Sequence, residues 1–376
     1  MRLVIHHEIP QDDLLRREWN GVVRQMESPE VFYTYEWARA VALAYRDSLR
    51  PLLLVGYEGD RVAGIAALAT DPALTSVTFL AWTTADYCDF VCAPGKVEEF
   101  TGLVLSELRA IASKVVLASI PASSATAQAL QELAREKKSS YFSRPSCQCA
   151  QVKFASPQQR DSVRGAMKSQ RLERQHKRLS RIGPATVRHM TEWPEIAAEL
   201  PRFRNAHIER FCAQGRTSTL VDDRRWQFIQ ELAQLLSRQG WMVLSALSVA
   251  DQTVAWNYGF RFRGSWFWYQ PGVDETFCSQ SSGLYPGLCL LARIIEDACD
   301  IPEIHRVDLG LGDEGYKERF ATDHCDTIDI TLSQSTVHHV REKLRYQAAC
   351  AIKSSPHLEQ CVRWLLRRPA PDGARA

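Results

Sequence analysis

A hairpin that occurs twice constrains this chain more than any other feature. Leu52-Leu53-Leu54-Val55-Gly56-Tyr57 is a short apolar run, Glu58-Gly59-Asp60 has turn chemistry, and residues 61–68 form a second apolar run. That is the pattern of two antiparallel strands on a tight turn. It returns as residues 242–247, then Ala250-Asp251-Gln252, then residues 253–260. The flanks return with it. Two helical patterns precede each hairpin, near 12–26 and 30–46 and again near 193–213 and 222–239. A strand follows each (77–80 and 266–269), then a helix (96–112 and 286–299), a strand (115–120 and 306–309) and a closing strand (148–154 and 327–332). The order β-α-α-β-β-β-α-β-(α)-β, read twice, implies an α/β (α+β) duplication with mixed sheets flanked by helices.

The chain has 376 residues, enough for two domains with attachments. The expected division is a first copy over 1–155, a basic linker helix over 156–184, a second copy over 185–335 and a basic helical tail over 336–376. Hydrophobic residues are 45% and charged residues 24%, the balance of a globular chain, and the net charge of +2 gives no bulk argument for nucleic acid. No apolar run is long enough to span a bilayer, and the first residues turn polar too early for a signal peptide. The eleven cysteines contain no Cys-x-x-Cys pair, which fits reduced thiols and a cytoplasmic protein. No four clustered ligands suggest a metal.

Residues 161–182 read as one helix ended by Gly183-Pro184, with Arg164, Lys168, Arg171 and Arg178 on one face. Such a stretch is either a solvated linker or an anion-binding wall. The tail repeats the chemistry, with Arg363, Arg367 and Arg368 beside Trp364 and Leu365. It either packs on the body or touches a membrane surface peripherally.

Three segments carry candidate chemistry. Gln280-Ser281-Ser282-Gly283-Leu284-Tyr285-Pro286-Gly287 joins a strand to a helix, and small residues ahead of a helix offer backbone N–H groups to a pyrophosphate. The first copy has only Ala93-Pro94-Gly95-Lys96 there, so an anionic cofactor is expected in the second. Asp308-Leu309-Gly310-Leu311-Gly312 is a strand entering a glycine bend that presents Tyr316 and Lys317, a pair able to protonate a leaving group or hold a developing anion. Asp86 and Asp89 bracket Tyr87 just after a strand and are candidate proton acceptors. Each segment also has a plain reading as a loop, a turn or a helix cap. No Gly-x-Ser-x-Gly elbow, Walker loop or Gly-x-Gly-x-x-Gly is present, which removes the common hydrolase, NTPase and dehydrogenase readings.

Taken together, Glu36-Trp37, Asp86-Tyr87-x-Asp89-Phe90, the basic linker, the Pro-Gly ahead of an apolar helix and Asp308-Leu-Gly-x-Gly-Asp-x-x-Tyr316-Lys317-x-x-Phe320 resemble the GNAT N-acetyltransferase superfamily. The resemblance covers roughly residues 30–335. It is to the two-domain CelD-like proteins, linked by name to cellulose biosynthesis and similar in turn to the FemABX transferases. It implies tandem acyl-CoA N-acyltransferase folds and transfer of an acetyl or other acyl group from acyl-CoA to an amine or hydroxyl of a small-molecule or glycan acceptor. It implies a coenzyme A pyrophosphate on Gln280, Ser281, Ser282, Gly283, Pro286 and Gly287, although Tyr285 stands where Gly or Ala is usual. Catalysis would fall to Tyr316, Lys317, Asp86 and Asp89. The acceptor would lie in the cleft between the copies, with Trp37, Tyr87, Arg171, Arg178 and Asp308 around it. Two alternatives accompany this reading: a FemABX-like transferase using aminoacyl-tRNA, and a non-catalytic scaffold for polysaccharide biosynthesis.

Overall fold

A computed structural model describes residues 1–71, 76–136, 140–281, 283–312, 315–333, 340–341 and 343–348. Ser282 and nearly all of the basic tail, including Arg363, Trp364, Leu365, Arg367 and Arg368, lie outside the described residues.

The first half runs β1 (Arg2–His6), α1 (Asp13–Gln25), α2 (Tyr35–Ala44), β2 (Arg50–Glu58), β3 (Arg61–Thr70), β4 (Ser76–Phe79), β5 (Val91–Cys92), α3 (Val97–Ile111), β6 (Lys114–Pro121), α4 (Ala125–Glu136) and β7 (Ser140–Lys153). Asp12 opens α1 by accepting from the Leu14 and Leu15 amides, and Thr34 opens α2 by accepting from Trp37. Helices α5 (Pro157–Met167) and α6 (Gln170–Ile182) follow. The second half runs β8 (Ala185–Met190), α7 (Trp193–Ala213), α8 (Asp223–Ser237), β9 (Met242–Val249), β10 (Gln252–Phe262), β11 (Ser265–Val273), α9 (Glu275–Gln280), α10 (Pro286–Asp300), β12 (Arg306–Asp308) and β13 (Asp323–Ser333). The duplicated hairpins are β2–β3 and β9–β10. Their turns use the same left-handed residue, Gly59 at φ 61° in one and Ala250 at φ 53° in the other.

Both halves share one sheet in the order β1-β2-β3-β4-β6-β13-β7-β12-β11-β10-β9-β8, with β5 on β3. Read from either edge, the succession of equivalent strands is the same, and the closing strands are exchanged. β7 leaves the first half to pair with β12 and β13, while β13 pairs with β6 and β7. The parallel pairs are β4 with β6 and β11 with β12, one in each half. One core gathers α1, α2, α3, α7 and α8; the other lies beneath α5, α6 and α10. Alternation on β12 sends Val307 into the second core and leaves Arg306 and Asp308 on the other face.

The basic linker is two helices rather than one. Val163 and Met167 are buried from α5, and Leu172 and Leu179 from α6. At about 100° per residue the step from 167 to 172 throws the second pair far off the first pair's stripe. A straight helix would bury only one pair, and the break at Lys168-Ser169 restores both. Arg164 is therefore not part of a continuous cationic face. With Arg160 it serves the C-terminus of α10. Arg160 donates to the carbonyls of Cys299, Ile301, Pro302 and Ile304, and Arg164 to Cys299 and to Asp300.

Candidate active site

β12 ends at Asp308, and the chain then bends through Gly310 (φ 70°) and Gly312 (φ 115°). Asp308 is fully buried. Its Oδ1 accepts from the Gly310 amide at 2.9 Å, and its Oδ2 accepts from the Tyr87 hydroxyl at 2.9 Å and from Gln151 Nε2 at 2.8 Å. Tyr87 comes from the first half and Gln151 from the exchanged strand β7. Asp86 crosses to the same bend. A Cβ on Gly310 would stand 2.6 Å from Asp86 Oδ2, so only glycine allows the carboxyl this close. The Leu311 amide donates to Asp86, and the buried Lys317 faces it while donating from Nζ to the Leu311 carbonyl at 2.5 Å. Burial pushes the Asp86 carboxyl up to about 7, the neighbouring Asp308 charge adds to the rise, and the Lys317 ammonium opposes it. Tyr316 precedes Lys317 in the chain, its hydroxyl accepting from Trp268 Nε1 at 3.1 Å.

The second half holds the Asp86 loop from behind. Tyr269 donates to the Thr84 carbonyl at 2.5 Å, and Arg225 donates to the Tyr269 hydroxyl at 2.8 Å and to the Thr83 carbonyl at 3.4 Å. The structure thus brings together Asp86, Tyr87, Asp308, Tyr316 and Lys317 at the junction of the halves.

A cleft of about 700 Å³ opens in the first half beside this network, between the starts of α3 and α4. Glu30, Asp89, Gln151, Lys153, Arg306 and His324 line it. Arg306 donates to both oxygens of Glu30, at 2.8 and 3.0 Å, and its other terminal nitrogen stands 3.9 Å from Asp308. Burial outweighs that arginine and pushes the Glu30 carboxyl up to about 7. Gln151, lining the cleft and donating to Asp308, is the wall the cleft shares with the junction. The cavity is thus walled mainly by the first half, with Arg306, His324, Cys325 and Asp326 contributed by the second, and no described residue of the 280–287 loop lines it.

The other expected site residues are placed elsewhere. Trp37 is fully buried in the aromatic core against Phe32, Phe228, Phe260 and Tyr269, with Nε1 donating to Thr84, and offers no surface to a substrate. Asp308 is sealed in the same way and touches protein on both oxygens. Asp89 points away from Asp86: Ser124 donates to it at 2.6 Å and accepts from the Thr126 amide, so it steadies the start of α4. Burial pushes its carboxyl up to about 6. Arg171 is exposed on α6. Arg178 donates to the Gly283 carbonyl at 2.9 Å.

Gln175, which the sequence does not single out, completes that contact. Its Nε2 donates to the Gly283 carbonyl and its Oε1 accepts the Tyr285 amide, both at 3.0 Å. Gln280 ends α9, and Ser281 donates from its amide to Phe277. Pro286 brings no N–H, the Leu288 and Cys289 amides return to the Tyr285 carbonyl, and Gly287 packs close to Val273. Among the described residues from Gln280 to Gly287, the Ser281, Leu284 and Tyr285 amides already have protein partners and do not fit a pyrophosphate in the expected register. A Ser245–His189–Asp297 chain also exists, at 2.8 and 2.9 Å, but Ser245 is fully buried in β9 and the chain is a strut between sheet and α10.

Residues 166–318 match the family model of the acetyltransferase (GNAT) domain. That segment is a GNAT domain. Several solved structures share the fold of this chain. FemX has a TM-score of 0.61 at 10% identity, over 88% of this chain and 97% of that one. The C-terminal domain of a protein described as a lysylphosphatidylglycerol synthetase, from Agrobacterium fabrum, has 0.53 at 11%, over 89% and 95%. A protein of unknown function from Bacteroides thetaiotaomicron has 0.51 at 11%, over 86% and 98%. No curated protein matches the sequence. Among the described residues, no helix is long and apolar enough to cross a membrane, and no group of three or more His, Cys, Asp or Glu could hold a metal ion.

Proposed function

We propose that this protein is an acyltransferase that moves an acetyl or other acyl group to an amine or hydroxyl of a small-molecule or glycan acceptor by direct attack. The observation that carries this reading is Asp86, a carboxyl held near neutrality against a glycine bend with an ammonium beside it. A base poised near 7 accepts the proton an amine must lose as it attacks. Lys317 steadies the charge developing in the transition state, and the Tyr316 hydroxyl is the proposed donor of a proton to the departing group. The first-half cleft takes the acceptor, with Gln151 as the wall it shares with the junction. Acyl-CoA is the donor that the family model suggests.

The latched loop supports a second donor. Gln175 takes up the Tyr285 amide that a pyrophosphate would use, Arg178 donates to the Gly283 carbonyl beside it, and Arg171, Arg174, Lys177 and Arg181 stand exposed on the same helix. Aminoacyl-tRNA suits that surface, and the likeness in fold to FemX and to the lysylphosphatidylglycerol synthetase domain agrees with it. Transfer from radiolabelled acetyl-CoA and from charged tRNA to a panel of amines and amino sugars separates the donors. Whichever donor works, Asp86→Asn should lower turnover by about 10²–10⁴. A folded Asp86→Asn protein with unchanged turnover would remove the assignment.

A further inference from the structure

Asp308 lies one shell behind the acyl-transfer reading. It is fully buried, so it cannot meet a substrate, yet both its oxygens are committed to parts that define where Asp86 sits. Oδ1 holds the Gly310 amide, and Asp86 Oδ2 lies where a Cβ on residue 310 would stand only 2.6 Å away. Oδ2 holds the Tyr87 hydroxyl, on the residue next to Asp86, and Gln151 from β7. Two carboxyls are thereby kept close in a site with little water.

We infer that Asp308 is the positioning residue for the base: it pins the glycine bend through the Gly310 amide and the Asp86 loop through the Tyr87 hydroxyl, so that the Asp86 carboxyl is held against Gly310. This rests on Asp86 being the base, but the two claims can fail separately. The groups facing Asp86 are Asp308 from β12, Lys317 from the turn beyond the bend, Arg225 from α8, Tyr269 from β11, Cys149 from β7 and Cys88 on its own loop. Of the charged groups, Lys317 and Arg225 draw the carboxyl down. Asp308 is the anion that raises it, with burial as the larger cause. Like charges held close in low dielectric cannot both ionise freely.

The test is a carbon-13 titration of the full chain with labelled aspartate, the Asp86 signal being assigned by its loss in Asp86→Asn. In the wild type the signal should titrate near 7. In Asp308→Asn its midpoint should fall by a unit or more. Asp308→Ser, which keeps a hydroxyl for the Gly310 amide, should give the same direction if the first variant does not fold. A wild-type Asp86 signal titrating in one step below 5 overturns the inference without any variant. So does a folded Asp308 variant with an unmoved midpoint. Turnover separates the claims. If Asp86→Asn retains activity, the reading of Asp86 as the base fails. If Asp86→Asn is dead while Asp308→Asn titrates like the wild type, only the role of Asp308 fails. If Asp308 acts as inferred, the acidic limb of its variant's pH–rate profile moves down in pH with Asp86.

Discussion

Asp86, Glu30 and Asp89 are all carboxyls whose pKa values are raised on folding, to about 7, 7 and 6. A raised carboxyl favours the folded state fully below its unfolded pKa, near pH 4, and loses that contribution as pH rises through the folded value. This protein should therefore lose stability steadily between about pH 4 and pH 7. Asp86→Asn removes one charge that must be buried, and a shift of this size is worth on the order of 4 kcal/mol at its limit. The variant should melt higher than the wild type at pH 8, by a margin that closes towards pH 4; differential scanning calorimetry across that range reads it. Higher stability with lost turnover would mark Asp86 as a residue kept for chemistry. At this scale the sequence was informative where a polar residue had an unusual setting. The glycines around Asp308 and the Tyr-Lys pair pointed to the junction, and Gln151 interrupting the apolar run from Cys149 to Val152 was a signal that could have been used. Trp37 was not distinguishable from a substrate-facing aromatic, because a tryptophan on an apolar helix face suits the core just as well.

Among the elements, α5 and α6 depart furthest from expectation. Their arginines suggested one charged wall, yet Arg160 alone donates to four carbonyls at the end of α10. Arg160→Met should cost about 3 kcal/mol, as several charge-assisted hydrogen bonds to buried carbonyls are lost, and chemical denaturation measures it. Binding of polyanions should be unaffected. Gln175 on α6 makes the opposite prediction. Gln175→Leu keeps the apolar stem, frees the Tyr285 amide and should tighten coenzyme A about tenfold by calorimetry; unchanged affinity would place the donor away from this loop. The hairpins and their flanking helices were legible because period and turn chemistry are local. The latch was not, because one glutamine in a basic helix carries no pattern, and the helix break shows only as a phase error between two pairs of apolar residues.

For the molecule as a whole, the exchange of β7 and β13 decides how the halves behave. Strand periodicity shows which residues face a core but not which strand lies alongside, so the duplication was readable and the exchange was not. β7 has both its sheet partners in the second half. A fragment of residues 1–155 should therefore not be a stable monomer. Light scattering should find it as a dimer, in which a second copy supplies the missing closing strand, or as aggregate. A monomeric, cooperatively folded fragment would show that β7 can close on its own half. In the intact chain, tryptophan fluorescence and far-ultraviolet circular dichroism should follow one transition in urea, since neither half has a complete sheet without the other.

That exchange also sets a timetable on the ribosome. β7 is complete at Lys153, and β12 begins at Arg306. At roughly 5–20 residues per second, the emerging chain holds β6 and β7 for on the order of 10–30 s before their neighbours exist. Through that interval Val115, Leu117, Cys149 and Val152, all buried later, lie on strands with open edges. Two nascent copies on one messenger could pair there as readily as one chain pairs with itself. Yield of this protein should therefore depend on the translation rate and on holdase chaperones more steeply than on the stability of the finished fold.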